Sequence, residues 1–415
     1  MSKTLLLLGA SSESLHAIIR ARELGFRTLV LDRNPRAPGA AAADAFLPLS
    51  IYDEREVVNG LRTWKANGGE ADGVICVGAD APRTVAAIGE LFGLPAVSME
   101  TARLATDKLA MKERLRAAGI PVPWFAPLRD ARDLRDVMAE RTGPLVIKPV
   151  DSRGARGVLR LSPGSDPDRL FAMALAESPS ARVMVEAFLS GPQISTEGLM
   201  IQGRGAIPGF SDRNYEFLER FSPYIIENGG DLPSFLPEAA QRELRDLTAA
   251  AALALGLEHG PVKGDMLWHK GKAYVIEIAA RHSGGYFITH LTPWNTGVDL
   301  LGASIRMSMG DTPDPDSLLP GENNGVCQRF LFAEPGLVIS VSGREEAERI
   351  PGVRYLEIRV KEGDVIPPVT SHPARPGLVI TTADTREKAQ AAAIAAVNAI
   401  RIVTRAHRAH RAGTA

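Results

Sequence analysis

Short apolar runs alternate with helical periodicity through the first hundred residues. Thr4 to Leu8 reads as a buried strand, and Ser14 to Leu24 as a helix closed by Gly25. Thr28 to Leu31, which runs into Asp32, and Gly73 to Val77 repeat the strand pattern. A second helix runs to Phe92 after Gly78-Ala-Asp80-Ala-Pro82. Strands separated by helices predict a parallel α/β sheet over residues 1–105. Ligands bind at the carboxyl ends of such strands, so Asp80 is either a substrate contact or a helix N-cap. Gly9 with Asp32 loosely mimics a dinucleotide fingerprint, but Gly9-Ala-Ser-Ser-Glu13-Ser lacks its second and third glycines. Ala102 through Asp107 and Lys108 opens a helix to Ala118, stopped by Gly119 and Pro121. On the residues alone, Asp107 suits that helix's positive end and Lys108 reads as a solvated lysine.

From residue 143 the pattern changes to hairpins. A buried run, Pro144-Leu-Val-Ile-Lys148, ends in a lysine, and a loop with Ser152, Gly154 and Gly157 leads to a strand from Val158 to Leu161. A strand-borne lysine beside a glycine-rich loop fits a phosphate held by charge and by backbone N–H groups. It is not the Walker motif. Val183 to Ala187 is a strand, followed by a turn at Ser190-Gly191-Pro192 and another strand. Glu186, with the backbone at Phe188, suits two-point reading of an adenine edge. The alternative puts Glu186 and Glu197 on solvent-facing edge positions. Ser211 to Pro237 is irregular and long enough to be a lid or binding loop, with Glu227 inside it. An amphipathic helix follows over Pro237 to Leu255, and a further helix over Gly297 to Met309. Residues from 322 carry strands at Val326 to Phe332, Val338 to Val341, Arg354 to Val360 and Gly377 to Thr382. An alanine-rich helix then covers Thr385 to Ile402, and the basic tail includes His407 and His410 as weak metal-ligand candidates.

The most informative stretch is Lys272-Ala-Tyr-Val-Ile-Glu277-Ile-Ala-Ala-Arg281-His-Ser283-Gly284-Gly285. Glu277 interrupts an apolar strand, and a carboxylate there needs a metal or a base. Asp265 stands twelve residues upstream on a strand joined to it by a turn at His269-Lys-Gly-Lys272. Two carboxylates on neighbouring strands, with Arg281 beyond, make a candidate magnesium–phosphate site. A plain Glu277–Arg281 ion pair is the rival reading.

Composition narrows the setting. A 415-residue chain with 45% hydrophobic and 23% charged residues has the make-up of a multidomain globular protein. A net charge of −1 argues against nucleic-acid and membrane-surface partners. Cys76 and Cys327 are the only cysteines, which suits a reduced, cytoplasmic protein without disulfides. The N-terminal apolar run is too short for a signal peptide, and no run approaches spanning length.

Taken together, these motifs resemble the ATP-grasp superfamily, most closely its ATP-dependent amino-acid (carboxylate–amine) ligases, relatives of biotin carboxylase and the carbamoyl phosphate synthase large subunit. The resemblance implies an N-terminal parallel-sheet (pre-ATP-grasp) domain over 1–105 and a two-lobed α+β ATP-grasp domain over 106–312. A small C-terminal α+β domain over 322–403 and a basic tail over 404–415 complete the expected organisation. It further implies that Lys108 and Lys148 hold ATP phosphates under the Ser152–Gly157 loop, and that Glu186, Phe188 and Leu189 form the adenine-reading hinge. Gln193 falls where relatives place a ribose-binding glutamate. Asp265 and Glu277 match the magnesium ligands, manganese being a possible substitute, and Arg281 the arginine that steadies the transferring phosphoryl group. The usual Glu-x-Asn reads Glu277-Ile-Ala279 here, so a second metal loses a ligand unless Glu197 replaces it. The implied activity is amide-bond formation from a carboxylate, an amine and ATP, with Arg281, Ser283, Gly284 and Gly285 holding the acyl substrate and Glu227 the amine. A homodimer is expected only because dimers are the commonest closed assembly. Alternatives are a carboxyphosphate- or formyl-phosphate-forming synthase on a purine-type ribonucleotide, and a non-catalytic ATP-binding protein.

Overall fold

In the computed structural model, which describes residues 2–162 and 164–406, the first strand shows how the chain divides its apolar residues. Leu5 to Leu8 are each at most 2% exposed, a continuous apolar run of the kind found in strands covered on both faces. Their alternation splits them. Leu5 and Leu7 pack with Ala17 and Ile18 of the helix Ser12–Glu23 and with Leu301 and Ile305 of the helix Leu300–Ser308. Leu6 and Leu8 pack with Val57 and Leu61 of the helix Glu54–Ala66 and with Ile88 of Pro82–Phe92. The sheet is parallel, in the order Ala45–Leu47, Arg27–Leu31, Thr4–Leu8, Gly73–Cys76. Asp32 accepts from the Ala10 N–H at 2.9 Å, so it fastens the Gly9 turn.

This sheet belongs to the first of two compact units, formed by Met1–Ala126, Leu189–Ser211 and Ser234–Asn323. The same unit holds antiparallel strands in the order Lys272–Ala279, Gly260–His269, Gln193–Ile201, Arg204–Arg213, the last leaving the unit at Asp212. The helix Glu238–Ala254 lays Leu244, Ala251 and Ala252 on Ile194, Val262 and Val275 of this sheet. The expected helix from Ala102 to Ala118 is broken. Met99–Thr106 and Lys108–Ala117 are separate helices, because the Asp107 carboxylate turns back to accept from the Leu109 and Ala110 N–H groups as an N-cap.

The second unit comprises Pro127–Phe188, Asp212–Pro233 and Asn324–Ala415. In it, Leu145–Pro149 pairs antiparallel with both Leu159–Leu161 and Val183–Ala187. Gly230–Leu232, Gly325–Leu331, Gly377–Ala383 and Val353–Ile358 form a second antiparallel set, covered by the helix Arg386–Ala399. The stretch 211–237 is therefore not irregular throughout. It completes one strand, contributes another, and is tied to the strand Leu159–Leu161 through Arg160 N–H donating to Pro223 O at 2.7 Å. The alanine-rich helix ends at Ala399 rather than Ile402, and Arg401–Arg405 pairs with Gly336–Ser342 as a strand. The β-branched run Ile402-Val403-Thr404 explains that switch. His407 and His410 lie outside the described residues. Among the described residues, no helix is long and apolar enough to cross a membrane.

Because the Asp107 cap fixes the turn that presents Lys108, Asp107→Ala is expected to destabilise the first unit by about 1 kcal/mol. Denaturant titration of both proteins measures this directly.

Candidate active site

The hairpin Gly260–His269/Lys272–Ala279 is built for one juxtaposition. Its two-residue turn has positive φ at Lys270 (49°) and Gly271 (77°), the combination that suits the twist of a tight hairpin. From His269↔Lys272 to Met266↔Val275 the strands stay in one register. An irregularity then leaves Ile276 unpaired, and the pairing resumes as Asp265↔Glu277. Without this bulge the two acids would be one position out of register and on opposite faces. With it, they stand side by side.

Like charges directly opposed across a ladder repel, so something must neutralise them. Lys263 Nζ lies 2.5 Å from Asp265 Oδ2, and Lys108 Nζ lies 3.6 Å from Glu277 Oε1. Lys108 is thus buried and paired, not solvated. The rival Glu277–Arg281 ion pair does not form, since the hydrogen-bonded partner of Arg281 is Asp80. Nε lies 2.9 Å from Oδ1, and NH2 donates to Oδ2 at 3.2 Å. Asp80 is consequently a clamp on Arg281, and Ala81 takes the N-cap position of Pro82–Phe92 with no side-chain cap. Burial opposes the charge on Arg281, but Asp80 outweighs it and holds the guanidinium above its ordinary pKa. Burial also pushes the Cys76 thiol beside it up to about 12, which removes it as a nucleophile.

Among the described residues, no group of three or more His, Cys, Asp and Glu side chains could hold a metal ion. The Asp265/Glu277 pair still fits magnesium, which usually keeps water and substrate phosphate among its ligands and takes one or two carboxylates from the protein.

The turn after Arg281 is held from beneath. Glu197 is 0% exposed on the internal strand Gln193–Ile201, so it is not a solvent-facing edge residue. Its Oε1 lies 2.9 Å from His282 Nδ1 and accepts from the Ser283 N–H at 2.7 Å. His282 Nε2 lies 2.6 Å from Ser304 Oγ. Glu13, in the first turn of Ser12–Glu23, accepts from the N–H groups of Gly285 and Tyr286, both at 2.9 Å. His290 meets His16 edge-to-face and Trp294 at a tilt, with ring centres 4.5 and 4.6 Å away.

In the second unit, Lys148 and Glu186 are both buried and joined at 2.5 Å across the pair Leu145–Pro149/Val183–Ala187. Glu186 lies on an internal strand, flanked by Phe125–Leu128 and Leu145–Pro149, and not at a sheet edge. Ser152 Oγ donates to Arg156 O at 2.7 Å and closes the 152–157 loop. Gly154 and Gly157 have φ of 61° and 68°, and a Cβ at Gly157 would stand 2.8 Å from Pro149 Cγ. Phe188 N–H donates to Pro144 O at 2.9 Å, and Arg160 lies over the Phe188 ring. Glu227 is bound by Arg213, whose Nε donates to Oε2 at 2.9 Å.

The structure thus brings together Lys108, Asp265, Glu277, Arg281 and Ser283–Gly285 in the first unit, which also contains the half-buried Leu189 and Gln193. Lys148, Ser152, Gly154, Gly157, Glu186, Phe188 and Glu227 belong to the second. Sequence reasoning missed Lys263, Glu13, His282 and Ser304. Only Lys263 carried a signal, because two residues before Asp265 places it on the same strand face.

Residues 105–285 match the ATP-grasp domain, and residues 329–405 match the L-amino acid ligase C-terminal domain 2. The chain is 27% identical over 318 residues to the uncharacterized protein y4rH of Sinorhizobium fredii, covering 74% of this chain and 63% of that one. A D-alanine–D-alanine ligase of Desulforudis audaxviator is 28% identical over 197 residues, covering 46% of this chain and 63% of the relative. The chain therefore spans about 63% of the length of both. The L-arginine-specific L-amino acid ligase of Bacillus subtilis is 24% identical over 280 residues, 66% of each chain. The crystal structure of an L-amino acid ligase from Bacillus licheniformis shares the fold, with a TM-score of 0.81 at 21% identity, covering 97% of this chain and 99% of that one.

Two measurements probe these contacts. Lys148→Met leaves Glu186 buried without its cation and is expected to cost about 3–5 kcal/mol, most of it recovered in Lys148→Met/Glu186→Leu. Burial first, and then the neighbouring His16, lower the His290 pKa to about 4. The unfolded imidazole, near its ordinary value of about 6.5, takes a proton more readily, so stability should be full above that pH. It should then fall by up to about 3 kcal/mol as the pH drops towards 4. Urea titrations at stepped pH should show this slope in the natural chain and a shallower one in His290→Phe.

Proposed function

We propose that the protein is an ATP-dependent carboxylate–amine ligase that forms an amide or peptide bond. The observation that carries this reading is the opposed Asp265/Glu277 pair, set by a strand bulge, with Arg281 four residues beyond Glu277 on the same chain segment. Every residue assigned to a ligand lies between 105 and 285, the segment that matches the ATP-grasp domain, and Asp80 acts only through Arg281. The C-terminal match to an L-amino acid ligase domain favours amino acids as substrates.

In the proposed reaction a substrate carboxylate oxygen attacks the terminal phosphorus of ATP, and the bond to the ADP oxygen breaks. The amine then attacks the acyl carbon, phosphate leaves, and the nitrogen gives up a proton. Lys108 and Lys148 are assigned to the ATP phosphates, with the Ser152–Gly157 loop supplying backbone donors. Glu186, Phe188, Leu189 and Gln193 are assigned to the adenosine. Asp265 and Glu277 would hold magnesium, or manganese in its place, and a bound ion would neutralise phosphate charge. Arg281, kept charged by Asp80, orients the acyl group with Ser283–Gly285, and Glu227 receives the substrate amine. No protein nucleophile is required. The chain contributes position and preorganised charge.

Phosphate release from ATP and magnesium, with pooled amino acids and then other carboxylates paired with amines, tests the reading. Release is expected only when both a carboxylate and an amine are present. Asp265→Ala and Glu277→Ala should each lower it by about 100-fold or more. Release with bicarbonate or formate alone would replace this reading with the carboxyphosphate or formyl-phosphate synthase. ATP binding without turnover would leave a non-catalytic binder.

A further inference from the structure

The segment Arg281–Tyr286 has an unusual supply of partners. Three of its backbone N–H groups go to two buried carboxylates, Ser283 to Glu197 and Gly285 and Tyr286 to Glu13. Arg281 NH1 donates to the His282 carbonyl at 2.9 Å, so the arginine itself leans on the same residue. The Glu197 carboxylate spends its hydrogen bonds on this segment alone. Oε1 serves His282 and Ser283, and Oε2 is buried with no partner among the described residues. His282, at 0% exposure, passes the contact on to Ser304 of the helix Leu300–Ser308. A carboxylate with both hydrogen bonds on one turn fixes that turn's shape. An apolar side chain would fill the same volume without doing so.

We infer that Glu197, His282 and Ser304 form a buried relay of positioning residues that sets the acyl-substrate turn, Arg281 to Gly285, in its working shape. This rests on the ligase reading for what the turn holds, but the relay itself is a property of the chain. The three residues touch no reacting atom. Glu197 fixes the Ser283 peptide directly, and Ser304 fixes the imidazole that Glu197 also grips. With both ring nitrogens engaged, His282 cannot rotate, and its carbonyl stays where Arg281 NH1 reaches it. Such outer contacts typically govern about 10–100-fold in activity without touching substrate. Their loss should therefore weaken use of the acyl substrate and leave the nucleotide contacts as they are.

Ser304 is the place to cut. It borders a mostly apolar cavity of about 50 Å³, lined also by Val97, Ala280 and Met307, and Ser304→Thr adds one methyl while keeping the hydroxyl. Hydrogen exchange by mass spectrometry on the full chain gives the readout that does not depend on turnover. In Ser304→Ala and His282→Gln, exchange of the peptide spanning 281–286 should rise about tenfold, with peptides from the parallel sheet unchanged, and Ser304→Thr should restore it. In the phosphate-release assay, kcat/KM for the acyl substrate should fall about tenfold in Ser304→Ala with KM for ATP within about twofold, again restored by threonine. Unchanged exchange at 281–286 overturns the relay, whatever the activity. A rise shared by the parallel sheet, or equal losses for ATP and the acyl substrate, also overturns it by showing a general structural role. A natural chain that turns nothing over, yet shows the confined exchange response, defeats the ligase reading and upholds the relay.

Discussion

The opposition of Asp265 and Glu277 is the constraint around which the candidate site is arranged. Two negative charges facing each other on one rung of a ladder are unfavourable unless cations stand beside them. In the structure, Lys263 and Lys108 do so, and Asp107 in turn fixes the helix start that presents Lys108. The same logic extends along the chain. Arg281 is buried enough to need its own carboxylate, and Asp80 supplies it from the end of a parallel strand. Charge balance therefore binds the antiparallel hairpin to the parallel sheet within the first unit.

This self-neutralised arrangement bears on the chemistry. Each proposed cationic contact already has an internal carboxylate: Lys148 has Glu186, Lys108 has Glu277 and Arg281 has Asp80. Charged ligands would enter by exchange of partners and not by filling naked charge, which keeps the cost of holding an empty site low. Binding then depends on ligand and metal arriving with matched charges.

Much of this was legible in the sequence, and the part that was not has physical reasons. Leu5 to Leu8 announce a buried parallel strand because no solvated strand is apolar at every position. Glu277 and Asp265 stand out because each interrupts an apolar run. The bulge at Ile276 leaves no such mark, since an isoleucine suits a paired or an unpaired strand position equally. Glu197 misleads for a related reason. On an alternating strand a glutamate reads as solvent-facing, and its burial is decided by His282, eighty-five residues later. Ser304 is a small residue in an apolar helix, and nothing local distinguishes a hydroxyl that receives a histidine. Asp80 was visible as a cap candidate, and Asp107 as an acid suited to the positive end of a helix. Only Asp107 caps, because the nearby Arg281 captures the other.

The split of the first strand's leucines has a consequence for synthesis. Leu6 and Leu8 find their cover within the first hundred residues, on Val57, Leu61 and Ile88. Leu5 and Leu7 have only part of theirs from Ala17 and Ile18, and wait for Leu301 and Ile305. At ordinary elongation rates, roughly 15–60 s pass while the intervening 300 or so residues leave the ribosome. For that interval the nascent sheet presents one incompletely covered apolar face. The growing chain carries that apolar surface before the Asp265/Glu277 hairpin exists, and covers it only when the helix Leu300–Ser308 follows.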